Sequence, residues 1–104
     1  MIAYYFNIEI FGTELLIDEI LKILGNKIKI GNIIHPNDKN RKGEKYGFGC
    51  IRLSHPKVYI ADDELVDYFS WLSDFIKEYF DIFCTLGMEE VWFATNIYYT
   101  DSFL

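Results

Sequence analysis

Residues 63–87, DELVDYFSWLSDFIKEYFDIFCTLG, decide the fold. Successive residues set at helical intervals bring Leu65, Tyr68, Phe69, Leu72, Phe75, Ile76, Tyr79, Phe80, Phe83 and Leu86 into one broad apolar sector. Asp67, Asp74, Glu78 and Asp81 fall in the opposite sector, and Trp71 sits at the boundary between the two. Asp62 or Asp63 opens this helix, with Asp63, Glu64 and Asp67 suiting the positive end of its dipole, and Gly87 closes it. A helix of about 24 residues spans roughly 36 Å, longer than the strands it must cover.

Outward from this helix, the flanking segments alternate. Residues 3–11 set Tyr4, Phe6, Ile8 and Ile10 against Tyr5, Asn7 and Glu9, the period of a strand. After Gly12, Thr13 is placed to cap a short helix over 14–24, in which Leu15, Leu16, Ile20, Ile23 and Leu24 recur at helical spacing before Gly25. Residues 27–34 alternate again. Residues 35–45, HPNDKNRKGEK, form a loop, and 46–53 a third strand in which Gly47 and Gly49 imply a bulge, a twist or close approach by other backbone. Residues 54–60, with Pro56, read as irregular or as an edge extension. The last strand, over 89–100, sets Val91, Phe93, Ile97 and Tyr99 against Trp92, Ala94, Asn96 and Tyr98.

Strand, helix, strand, strand, helix, strand, with right-handed crossovers, puts both helices on one face of an antiparallel sheet. The expected architecture is therefore α+β, a ferredoxin-like split βαβ sandwich of four strands and two helices in one domain, residues 1–104. Tyr4, Phe6, Ile8, Ile10, Phe69, Leu72, Ile76, Phe80 and Phe83 are its expected core. The other sheet face stays open and carries Tyr5, Trp92 and Tyr98, amphipathic aromatics that tolerate exposure.

Charge narrows the function. Residues 58–104 hold ten acids and one base, Lys77, so this half carries −9 against −6 for the whole chain. Such acidity repels nucleic acid and suits a basic protein. Apolar runs are interrupted well short of the ~18 residues a membrane span requires. With no secretory signal at the N-terminus, a cytoplasmic location is expected. Cys50 and Cys84 read as reduced packing residues. A zinc site from them with His35 and His55 lacks any close ligand pair.

His35-Pro36 and His55-Pro56 could supply a ribonuclease-like acid and base beside Lys39, Arg41, Lys42 or Lys57, but overall acidity opposes a phosphate substrate. Lys39, Arg41, Lys42 and Lys45 read as a solvated loop, and Asp62-Asp63-Glu64 as a helix cap rather than a metal site. No phosphate cradle or activated nucleophile is legible, so neither catalysis, a metal nor a cofactor is expected.

The run Asp18-Glu19-Ile20-Leu21-Lys22-Ile23-Leu24-Gly25, the turn Arg41-Lys42-Gly43-Glu44 and the strand Tyr46-Gly47-Phe48-Gly49-Cys50-Ile51-Arg52-Leu53 resemble a family of small bacterial domains of unknown function. That family pairs a helix ending in Leu-Gly with a basic Gly-acid turn and a strand usually opened by Trp, where this chain has Tyr46 or Phe48. In size, acidity and surface the chain also looks like the immunity proteins encoded beside polymorphic or contact-dependent toxins. This likeness implies an immunity-type protein that neutralises a basic toxin domain, a nuclease being the expected class, by occlusion. Asp67, Trp71, Asp74, Glu78 and Asp81 are the expected partner-binding residues. The alternative is a small ligand-binding or regulatory domain that uses the open sheet face at Tyr5, Trp92 and Tyr98.

Overall fold

A computed structural model describes residues 2–56, 58–60 and 66–99, with the side chains of Val66 and Asp67 left undescribed. Lys57, Leu65 and the acidic run Asp62-Asp63-Glu64 lie outside these residues. The chain is α+β: β1 (Ile2–Gly12), α1 (Ile17–Leu24), β2 (Lys29–Ile34), β3 (Gly49–Ser54), β4 (Tyr59–Ile60), α2 (Val66–Thr85) and β5 (Glu90–Tyr99). All strand pairings are antiparallel in one open sheet.

The expected four-stranded, ferredoxin-like sheet is corrected. Among the described residues there are five strands, in the order β2-β3-β1-β4, with β5 also pairing β1. β3 pairs only Asn7–Gly12 of β1, and β4 pairs the remaining Ala3–Tyr4. The segment expected to be irregular or an edge extension is used this way because Tyr59, fully buried, stacks edge-on against Phe6 at 5.3 Å. β5 takes the opposite edge of β1 along Ile2–Phe11 without a break in register.

One sheet face carries both helices. Ile8 and Ile10 of β1 and Ile51 and Leu53 of β3 meet Ile17, Ile20 and Leu24 of α1 and Phe75, Tyr79 and Phe83 of α2 in a single core cluster. Tyr79 stacks on Phe83 at 5.2 Å, and a second cluster joins Phe6, Tyr59 and Tyr68, with Phe6 and Tyr68 stacked at 3.8 Å. Burying such aromatics supplies most of the stabilisation available to a small domain.

Three sequence expectations give way here. Phe69, Ile76 and Phe80 are exposed, Phe69 by 62%, although they belong to the apolar sector of the helix. α2 is rolled so that its Tyr68–Phe75–Tyr79–Phe83 line faces the sheet, over the β2–β3 side, where Lys27 pairs with Glu78 at 3.9 Å. On the same helix-bearing side of the sheet, Phe93, Ile97 and Tyr99 of β5 are exposed as well. In the first helix, Leu16 and Ile23 are exposed and Ile17 takes their place in the core. Thr13 caps nothing: its N–H and hydroxyl donate to Glu89 Oε1 at 2.8 and 2.5 Å, tying the end of β1 to the start of β5.

Candidate protein-binding surfaces

The outer flank of α2 is the acidic surface. Trp71, Asp74, Glu78 and Asp81 follow at steps of three and four residues, which forms one stripe along a helix. Asp74, Glu78 and Asp81 are exposed; Asp67 lies in the first turn of the same helix, its side chain outside the described residues. Of Asp74, Glu78 and Asp81, only Glu78 has a cation within 4 Å among the described residues, the sequence-distant Lys27, so Asp74 and Asp81 present unneutralised charge.

Trp71 borders this stripe half-buried. Its inner edge packs against both core clusters, and its ring meets the His55 imidazole edge-on at 4.9 Å. The remaining face lines a shallow hollow of ≈ 150 Å³ with Lys27, Asp74 and Glu78. Nearby, burial and then the Glu78 carboxylate raise the Tyr79 hydroxyl above its ordinary range, so it stays a neutral donor beside the acids.

The open face of the sheet carries the second set. Tyr5, Trp92 and Tyr98 all project from it, but not as one contact. Tyr5 and Tyr98 meet edge-on at 4.8 Å, whereas Trp92 lies six residues along β5, roughly 20 Å away. Trp92 instead joins Phe11 at 6.4 Å, and Phe11 reaches Phe48 at 6.0 Å. Phe11, Phe48, Thr13, Glu89 and Glu90 line a cleft of ≈ 280 Å³ at that end of the sheet. Between the two aromatic groups, Arg52 Nη2 and Nε donate to Glu9 Oε1 at 2.6 and 2.8 Å, and Asn7 is buried. The face thus offers two small aromatic patches separated by a neutralised ion pair.

Register also bears on the histidines. His35 follows Ile34, which pairs with Cys50, and His55 follows Ser54, which pairs with Lys29. The two imidazoles therefore sit at opposite ends of the β2–β3 ladder and cannot act on one phosphate. His35 is occupied in a turn, with its N–H donating to Asp38 Oδ2 at 2.8 Å; His55 is packed among Tyr59, Tyr68 and Trp71. The basic segment Lys39–Lys45 closes on itself through Asn40, whose Oδ1 accepts from the N–H groups of Lys42 and Glu44. Cys50 is buried in β3, and burial raises its thiol above the ordinary range; Cys84 is exposed on α2. Among the described residues no three His, Cys, Asp or Glu side chains converge as metal ligands do, and no helix is long and apolar enough to cross a membrane.

Sequence reasoning missed the exposure of Phe69, Ile76 and Phe80 on α2 and of Phe93, Ile97 and Tyr99 on the helix-bearing face of β5. The available signal was β5 itself, apolar on both alternating faces as strands buried on two sides are, yet last in the chain. No family model matches the chain, and neither the curated proteins nor the solved structures hold a match to it.

Proposed function

We propose that this protein is an immunity-type inhibitor, cytoplasmic, which binds a cognate basic toxin domain, a nuclease in the leading case, and occludes the surface where that domain would hold substrate phosphates. The observation that carries this reading is the stripe of exposed carboxylates at Asp74, Glu78 and Asp81, of which only Glu78 meets a cation, Lys27, among the described residues, beside half-buried Trp71 on a chain of net charge −6. A linear array of carboxylates along a rigid helix mimics phosphates in spacing and sign. It accelerates encounter with a basic surface by long-range attraction. In the sequence Asp67 precedes Asp74 by about two helical turns, and Trp71 supplies an aromatic contact at the margin of the array. The reading rests on surface chemistry, and it assigns no catalysis, cofactor or metal to the chain.

A second reading, a small ligand-binding or regulatory domain, draws on the exposed aromatics of the open face, where Trp92 and Tyr98 are 59% and 60% exposed. The experiment is a protection assay. Cells that express the basic protein encoded beside this chain should stop growing, and co-expression of the chain should restore growth. Protection should vanish when Asp67, Asp74, Glu78 and Asp81 are all replaced by Lys. Undiminished protection by that variant would remove the stripe from the mechanism.

A further inference from the structure

β5 is a ten-residue strand at the edge of the sheet, and among the described residues nothing pairs with its outer side. Edges of this length are normally guarded by charge, proline or a bulge, because a row of free backbone N–H and C=O groups is a template for another strand. Beyond Glu90 at its start, β5 has none of these guards. From Val91 to Tyr99 it carries no charge and no proline, and its register with β1 is unbroken. Large apolar side chains stand exposed on both its faces, Trp92 and Tyr98 on the open side, Phe93, Ile97 and Tyr99 on the helix side.

The pattern of the strand is also self-complementary. An antiparallel pair of two β5 strands centred on Thr95 puts Phe93 opposite Ile97, Val91 opposite Tyr99, Trp92 opposite Tyr98 and Ala94 opposite Asn96. Every large apolar residue then meets another across the seam, the arrangement that stabilises antiparallel pairs, and the two-fold relation makes each contact occur twice. We infer that this chain pairs with a second copy of itself through β5, in a register centred on Thr95, to form one continuous sheet across the dimer. The acidic stripe faces away from the seam, so both stripes remain accessible, and this inference stands apart from the proposed inhibition of a toxin.

Charge gives the association a signature. Two chains of −6 repel each other, while the seam itself is neutral, so added salt strengthens pairing. The test is sedimentation equilibrium of the intact chain over a concentration and salt series, beside the variant Phe93→Lys/Ile97→Lys, whose lysines face one another twice in the expected register. Both positions are exposed, so circular dichroism should report an unchanged fold. The wild type should reach twice the chain mass at lower concentration as salt rises, and the variant should dimerise at least about tenfold more weakly. Register is read separately in the Cys84→Ser background under mild oxidation: Thr95→Cys should crosslink to its own copy far faster than Trp92→Cys. A wild type that stays at monomer mass throughout, a variant that dimerises as well as the wild type, or equal crosslinking at both positions would overturn the inference.

Discussion

Gly12 and Gly87 touch backbone to backbone: a Cβ built at Gly12 would fall 2.0 Å from the Gly87 carbonyl oxygen. Gly87 has φ +96°, and a Cβ there would meet the Glu14 carbonyl oxygen at 2.5 Å. Here the end of β1 passes the turn from α2 into β5, locked by Leu16 N–H donating to Leu86 O and Glu89 N–H to Phe11 O. Backbone cannot yield as a side chain can. Gly12→Ala should therefore cost at least the upper part of the roughly 1–3 kcal/mol usual for overpacking, read as a lower urea midpoint. An unchanged midpoint would mean the two segments are farther apart.

The roll of α2 makes two phenylalanines of one helix unequal. Phe83, fully buried, should cost ~3–5 kcal/mol when replaced by Ala, whereas Phe69→Ala should stay within about 0.5 kcal/mol. Equal costs in thermal denaturation would return Phe69 to the core.

Glu89 links stability to acid. Its carboxylate accepts from the Thr13 hydroxyl and then from the Thr13 N–H, which lowers its pKa below the ordinary value in the folded chain. The unfolded chain then takes up this proton more readily than the folded one. The stabilisation is present above the ordinary carboxylate range and is lost as pH falls through the depressed folded value. Glu89→Gln should flatten the acid limb of a plot of Tm against pH, and Thr13→Val should do the same. An unaltered limb in both would contradict the contact.

The thiols should separate by reactivity. Cys84 is exposed, whereas Cys50 is buried with its thiol held protonated. A chromogenic disulfide reagent should titrate one thiol in the native chain and both in denaturant. Rapid modification of Cys50 without unfolding would show that β3 opens on its own.

Legibility in the sequence followed the strength of each period. β1 and α2 were plain because Phe6, Ile8 and Ile10 alternate cleanly and Tyr68, Phe75 and Phe83 recur at helical spacing. The roll of α2 was hidden because its apolar sector is wider than the strip a sheet can cover, so Phe69 and Phe83 look alike until β5 is found uncovered. β4 was illegible because two residues carry no period, and the depth of Tyr59 comes from Phe6, far away in sequence. For the surfaces, the acidic stripe could be read from spacing alone. That Tyr5 meets Tyr98 while Trp92 sits with Phe11 depends on cross-strand register, which alternation does not contain.

The central claim, that the α2 carboxylates receive a basic partner, is tested most directly by association kinetics. The chain would be captured on a sensor and its on-rate with a basic nuclease toxin domain, the proposed partner class, followed across a salt series. The wild type should associate fast and slow steeply as salt rises. Asp81→Lys should be slower with a flatter salt slope, and the variant with Lys at 67, 74, 78 and 81 should not bind. Trp92→Ala/Tyr98→Ala should match the wild type. Binding that survives the four-Lys variant and is lost in the Trp92 and Tyr98 variant would contradict the account and move recognition to the open face of the sheet.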